Sequence, residues 1–592
     1  HSTATSQHTE RVPHMTADEK VLIAGDFGLS ALHYNAKEGT LTEEEVLCKL
    51  AEGSNRRITR VLFSADRRIF AYQANSTQIV IHDTATLKMI REMEVPQKMR
   101  DFCLSPKGTF VCVTTYAGKD PVRPPQLFVI EIDGERRWER ERGSLRRFAI
   151  SGCEKYLTYL TGETAQVYRI MREGFEAFGR LPGLPAGYSG DCLISAPIVH
   201  PTPELLAKYP SLVKAPLAIG WAAKGSKPGR VRVYSQTHAQ KYTPENKGSV
   251  IKCLVETSFP GADSIDVKWS PQGCMALASG TTDFDSSKKS YYGSTYAVLL
   301  DIGQREETRV SVKGGICHFT VWAATPEADV GVRESFVTIT NSQPPECKLW
   351  TTPISHDRRP KAIAPSPRFD FGTTMVNEAH TGVSGRIVHV AGFGAMSGEV
   401  AVYQIDGEAP RCLYRQRHPN TTRPGLSRDD RFIMHAVLSP RLTVDNGVTI
   451  TPLNKAFGKA ASFLREGLYS ANFLPTFGPC DKCDLSALPV AKAHSVASAA
   501  TTSSGKPSGA PARRYIPPSM RHKVNAVISS TVKEASAVGS GPAVEEEKDP
   551  YAGLSKAAKA RRRKAARKAE AEKAAKASAS MSGRPKRVPV GL

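Results

Sequence analysis

No run of eighteen apolar residues occurs in the 592-residue chain, so no segment is built to cross a bilayer as a helix. The common catalytic signatures are missing too. There is no Walker phosphate loop, no His-Glu-x-x-His and no Gly-x-Ser-x-Gly elbow. Nucleotide hydrolysis and the common hydrolase chemistries therefore have no visible apparatus, and an enzyme is not expected. The twelve cysteines are scattered rather than set in an even framework, which reads as reduced thiols in a reducing, cytoplasmic compartment. Cys480-Asp481-Lys482-Cys483 has zinc-ligand spacing, but a structural site needs a second pair, and the nearest candidate, His494, stands alone. Neither a metal nor a cofactor is expected. Acidic residues are the minority, 58 against 80 Lys and Arg, a net charge of +22. Such a surplus suits an anionic partner, nucleic acid or an acidic membrane surface.

What is present is a repeat. An apolar strand ends in Ser, a turn follows, and a second apolar strand continues. The clearest copy is Val61–Ser64, then Ile69–Tyr72, closing with Ile79–Asp83. Others begin at Phe102–Ser105, Phe148–Ser151 and Val267–Ser270, with weaker copies near Leu193, Phe319, Ile387 and Phe432. Ser64, Ser105 and Ser151 lie 41 and 46 residues apart, close to the roughly 40–45-residue period of a four-stranded propeller blade. Short β-branched and aromatic runs bounded by Ser, Pro, Asp and Gly are strands between tight turns. The Ser-Pro-x-Gly and Ser-x-Asp turns put a side-chain acceptor where the backbone reverses, and are expected to brace the hairpin between the second and third strands of a blade.

With a first strand near Val21–Tyr34 and a last near Tyr469–Leu474, the fold class is all-β, an eight- or nine-bladed β-propeller with nine favoured. Strands from both termini are expected to close one blade and remove an open sheet edge. The competing reading is two β-sandwiches. The propeller is assigned to residues 1–478.

Residues 479–550 are rich in Ala, Ser, Val, Gly and Pro without period, and are expected to be a disordered linker. Residues 551–592 are expected to be a basic C-terminal α-helix. They hold 13 Lys or Arg against two Glu, half of the surplus charge, among strong helix formers and without an apolar stripe. A helix this basic gains most of its stability when phosphates neutralise it. Lys556, Lys559, Arg561, Arg562, Arg563, Lys564, Arg567 and Lys568 are its candidate RNA contacts. The alternative is a solubilising tail or nuclear-import signal, which Arg584-Pro585-Lys586-Arg587 suits. No bulky apolar face is there to enter a membrane surface, so no membrane partner is expected.

Within the propeller, Arg56, Arg57, Arg67, Arg68, Arg146 and Arg147 lie beside strands as candidate phosphate contacts, and Tyr291-Tyr292 as candidate base-stacking rings. Solvated loop charges and rings wedged between blades are the competing readings. Asp370-Phe371-Gly372 imitates the kinase metal-binding triplet but lacks the accompanying catalytic loop, and is expected to be a blade turn.

Tyr291-Tyr292-Gly293, Phe369-Asp370-Phe371-Gly372, Ala391-Gly392-Phe393-Gly394 and Pro440–Gly447 resemble, in order and spacing, strings of the eukaryotic translation initiation factor 2A family. Tyr515-Ile516-Pro517-Pro518 and Leu554-Ser555-Lys556 resemble its linker and the segment after it. The resemblance implies a nine-bladed propeller that binds the small ribosomal subunit, through rRNA and ribosomal proteins. It also implies delivery of initiator methionyl-tRNA without a bound nucleotide, with mRNA a further candidate partner. The propeller-bearing B subunit of initiation factor 3 is a second resemblance, which the linker and tail strings disfavour. Two departures from the family stand out. The chain starts at His1 rather than Met, and it stops soon after the basic segment, where the family adds a Leu/Lys/Glu-rich coil. The other reading of the whole chain is a propeller scaffold that binds only proteins.

Overall fold

Nine four-stranded antiparallel sheets make up the described part of the chain, a computed structural model. It describes residues 19–475 and Leu485, apart from short segments of which the longest are 197–212, 241–250, 284–292, 324–332 and 354–364. These residues belong to one compact unit, His1–Ser495; the second unit, Val496–Leu592, lies outside the described residues. The expected linker therefore lies almost wholly outside them, and the expected C-terminal helix entirely so.

Blade 1 is assembled from both ends of the propeller: Leu468–Phe473 pairs with Glu19–Gly25, followed by Gly28–Asn35 and Thr40–Lys49. Blades 2 to 4 open with Val61–Phe63, Met99–Leu104 and Phe148–Ile150, and close with Met89–Glu94, Arg137–Glu141 and Phe175–Pro182. Blades 5 to 7 open with Cys192–Ser195, Ser264–Trp269 and Cys317–Ala323, and close with Val255–Phe259, Glu306–Arg309 and Ser366–Thr373. Blades 8 and 9 run from Glu378–Thr381 to Arg411–Arg417 and from Arg423–Leu426 to Ala461–Leu464. The count is nine, and the two-ended closure is as expected.

Opening strands of successive blades lie against one another and form the inner wall. Each sheet is covered on both faces by its neighbours. Nine apolar clusters accordingly occupy the nine seams, from Tyr34 and Phe432 between blades 9 and 1 to Trp322 and Phe336 between blades 6 and 7. Burial on both faces explains why middle strands such as Phe110–Thr115 are buried at every position instead of alternating. Leu485 extends the chain's contact with the propeller. It is buried in the seam of blades 8 and 9, and its carbonyl accepts from Arg411 Nη1 at 3.3 Å.

The recurrent Ser has a repeated geometry. At Ser64, Ser105, Ser151, Ser270 and Ser427 the backbone N–H donates to the carbonyl five residues on, at 2.8–3.0 Å. The backbone N–H of that same residue returns to the Ser Oγ, at 2.9–3.3 Å. The residue three after each Ser, Arg67, Gly108, Glu154, Gly273 or Asp430, has φ between +56° and +74°. This corrects the expected role of the turn: it joins the first and second strands of a blade, not the second and third. Asp370-Phe371-Gly372 is likewise no turn. It sits in the closing strand of blade 7, with Phe371 buried against Tyr403 at 4.8 Å between ring centroids.

Candidate nucleic-acid interface

The meander divides the loops between two ends. Connections from blade to blade, and from second to third strand within a blade, lie where the opening strands start; this is the entry end. The Ser turns and the connections from third to fourth strand lie at the opposite, turn end.

The turn end is bound together by carboxylates that reach across seams. Glu154 of blade 4 accepts the backbone N–H of Lys107 in the turn of blade 3, at 2.6 Å. Glu334 of blade 7 accepts from Gln272 N in the turn of blade 6, at 2.9 Å. Asp430 of blade 9 accepts from Arg386 Nε of blade 8, at 3.1 Å, and Glu19 of blade 1 lies near Asp429 and Arg431 of blade 9. Burial pushes the carboxyl of Glu19 up to about 8 and that of Glu334 up to about 7. These groups are consumed by the scaffold.

The six candidate arginines are split between the ends. Arg67 and Arg68 belong to the turn end. Arg67 holds the left-handed position of its Ser turn and lays its guanidinium on the Phe63 ring, 5.0 Å from the centroid, so its first role is structural. Arg68 is exposed with Asp66 Oδ2 at 3.8 Å. Arg56, Arg57, Arg146 and Arg147 share the entry end. Ile58, buried and held by its N–H to Gly25 O at 3.1 Å, anchors the segment that presents Arg56 and Arg57 to solvent. Arg57 Nη1 donates to Tyr469 Oη at 2.9 Å and its guanidinium covers that ring. Arg146 and Arg147 sit on a single 3-10 turn capped by Ser144, whose Oγ accepts Arg146 N at 3.3 Å. Tyr291 and Tyr292, and all eight candidate tail residues, lie outside the described residues.

Residues that the sequence reading did not single out complete the entry-end group. Among the described residues the segments 50–60, 95–98, 116–125 and 142–147 present seven Lys or Arg and no Asp or Glu, a net +7. The remaining described connections at this end carry four against six. Positive charge is therefore concentrated on one arc, the entry end of blades 2 to 4. One member is offset: Arg60 Nη1 donates to Asp101 Oδ1 of blade 3 at 2.9 Å, an exposed pair of small energetic weight. Sequence distance hid the arc, since its segments lie up to about ninety residues apart and only the ring brings them together.

Among the described residues no group of three His, Cys, Asp or Glu side chains is placed to hold a metal ion, and no helix is long and apolar enough to cross a membrane. Cys480 and Cys483 lie outside the described residues.

Comparison with known proteins shows what the chain resembles. Residues 257–465 match the profile described as eukaryotic translation initiation factor eIF2A. Eukaryotic translation initiation factor 2A of Saccharomyces cerevisiae is 30% identical over 233 residues, 38% of this chain and 32% of that protein. The Schizosaccharomyces pombe protein of the same name is 25% identical over 503 residues, 81% of this chain and 76% of its own length. The alignments thus span about a third of one relative and three quarters of the other. A solved structure titled "Crystal structure of the eukaryotic initiation factor" shares the fold, with a TM-score of 0.56 over 78% of this chain and 99% of its own, at 16% identity. The profile match and these relatives agree: the chain is similar to eukaryotic translation initiation factor 2A, most closely defined over residues 257–465 of the propeller.

Proposed function

We propose that this chain is a non-enzymatic translation initiation factor of the cytoplasm. In this reading the propeller is a rigid platform for the small ribosomal subunit, meeting rRNA and ribosomal proteins. Its entry-end arc contacts RNA backbone, and the 551–592 tail adds electrostatic affinity through Arg561, Arg562, Arg563, Lys564, Arg567 and Lys568. The division into propeller 1–478, linker 479–550 and tail is part of the proposal. Initiator methionyl-tRNA is the RNA cargo that the likeness to initiation factor 2A suggests, recruited without nucleotide hydrolysis, with mRNA a further candidate.

The observation that carries the reading is the arc. A net +7 gathered on one end of three adjacent blades suits phosphate, because neutralising phosphates releases counterions and the gain grows with each contact. The test is co-sedimentation with small subunits and binding of initiator tRNA across a salt series. It compares the full chain, the chain lacking 551–592, and an Arg56→Glu/Arg146→Glu pair. Both changes are expected to weaken binding and flatten its salt dependence. Equal affinities and equal salt slopes in all three proteins would favour the protein-only scaffold instead.

A further inference from the structure

Resting on the reading of the entry-end arc as an RNA contact, we propose that the arc takes single-stranded RNA and that Tyr116 is its base-stacking platform. Tyr116 leaves the second strand of blade 3 directly beside Lys98, whose carbonyl accepts the Tyr116 backbone N–H at 2.9 Å. The preceding residue is fixed from two sides. Thr115 Oγ1 donates to Gln97 Oε1 at 2.8 Å and accepts from Gln126 N at 2.9 Å. The ring is therefore carried on a rigid base, yet it is 49% exposed, whereas Tyr34, Tyr72 and Tyr159 are buried in seams. An ordered, half-exposed aromatic is what a base needs to stack on.

Its surroundings are cationic. Lys98 Nζ lies 5.7 Å from the ring centroid. Beyond the ring the chain makes a two-residue ribbon, Gly118–Lys119 paired with Val122–Arg123. The ribbon's return arm is tied to the next basic segment, because Pro125 O accepts the N–H of exposed Arg142 at 2.6 Å. Arg142, whose φ is +52°, leads into the turn that carries Arg146 and Arg147.

Cation–ring contacts occur at both ends of the propeller. At the turn end Arg136 and Arg431 cover Phe110 and Phe432, rings already buried, and Arg67 covers the half-buried Phe63. At the entry end Arg57 with Tyr469, Lys227 with Tyr188 and Arg465 with Phe27 pair cations with half-buried rings, and Lys98 lies beside the exposed Tyr116. Interleaved cations and aromatics favour unpaired bases over a duplex, whose stacked bases present no free face to a side chain.

The experiment uses the full chain and a twelve-nucleotide uridine-rich single strand carrying 5-bromouridine, with a blunt duplex of the same length for comparison. Photocrosslinks are mapped by mass spectrometry, and affinities are measured by anisotropy for wild type, Tyr116→Ala and Tyr116→Phe. The tail contributes equally to all three proteins, so ratios isolate the ring. Crosslinking at Tyr116, in the tryptic peptide 108–119, is expected. So are a single-strand affinity lowered about fivefold or more by Tyr116→Ala, an unchanged duplex affinity, and retention of binding by Tyr116→Phe. Unchanged single-strand affinity in Tyr116→Ala, with crosslinks in 50–60 or 142–147, would overturn the platform and leave the arc standing. Crosslinks confined to the tail, or capture of an acidic peptide in place of RNA, would overturn both.

Discussion

His418 and His435 stack face to face in the seam between blades 8 and 9, with ring centroids 3.7 Å apart and planes 8° from parallel. His389 adjoins His435 at 5.8 Å, and His380 adjoins His389 at the same distance. Neither ring nitrogen of His389 or of His435 has a hydrogen-bond partner. The groups facing the stack are Phe393, Tyr414 Oη on His418 Nε2 at 2.7 Å, and Glu378, 3.4 Å from His380. A proton on any of the three inner rings is unfavourable there. Burial, reinforced by the neighbouring imidazoles at His389 and His435, holds His389 down at about 3, His418 at about 4 and His435 at about 2.

Acid should therefore loosen this seam. The unfolded chain binds protons below pH ~6.5 that the folded chain refuses, so stability is full above that pH and falls toward pH 4. Each such histidine contributes a slope of up to about 1.4 kcal/mol per pH unit. Between pH 7.5 and 5, wild type should lose stability relative to His435→Phe, which keeps an apolar ring in the stack, as read from their urea midpoints at pH 7.5, 6 and 5. Parallel curves for the two proteins would show that His435 does not titrate on unfolding.

The seam carboxylates predict the opposite slope. A carboxyl raised by burial favours the folded state fully below the unfolded value near 4.5 and loses that contribution as pH rises through its folded value. For Glu334 that window ends near 7 and for Glu19 near 8. Glu334→Gln keeps an oxygen for the Gln272 N–H and cannot ionise. It should match wild type at pH 5 and be the more stable protein at pH 8.5. A lower midpoint for the variant at both values would contradict this.

The Ser turns make a local test. Ser105→Ala removes the acceptor of the Phe110 N–H, a buried bond of 2.9 Å, and should cost about 1 kcal/mol. Gly108→Ala should cost more, since φ is +74° there and an added Cβ would lie 2.7 Å from the Ile69 side chain. Chemical denaturation measures both, and the order Gly108→Ala below Ser105→Ala is the expected result.

The two ends of the propeller should also differ in salt-dependent RNA binding. Arg146→Glu, on the arc, should lower RNA affinity and reduce the logarithmic salt slope by about one or more. Arg68→Glu, equally exposed but at the turn end beside Asp66, should leave both nearly unchanged. A common effect of the two changes would mean that net charge, not the arc, governs binding.

Much of this fold was legible because each blade repeats a local grammar. The first three strands of most blades are apolar runs, and in five blades a serine before the turn marks the boundary. The fourth strands were not read. Met89–Glu94 and Arg137–Glu141 are mostly exposed at the outer edge, so polar residues dominate them and no apolar signal remains. Arg67 illustrates a second kind of opacity. Its number beside a strand suggested a surface contact, whereas its left-handed backbone and the Phe63 ring make it part of the turn.

By itself the sequence determined the β-propeller, its closure by strands from both termini, the likeness to initiation factor 2A and the concentration of charge in the last 42 residues. These follow from local patterns of strand, turn and composition, which need no distant partner to be read. Tertiary structure alone decided which basic residues share a surface. Ring closure and the up-down path of each blade send Arg56, Arg57, Lys98, Arg142 and Arg146 to one end and Arg67 and Arg68 to the other. It also decided which tyrosine, Tyr116, stands exposed among cations, because burial in a seam depends on the neighbouring blade and not on the residue's own strand.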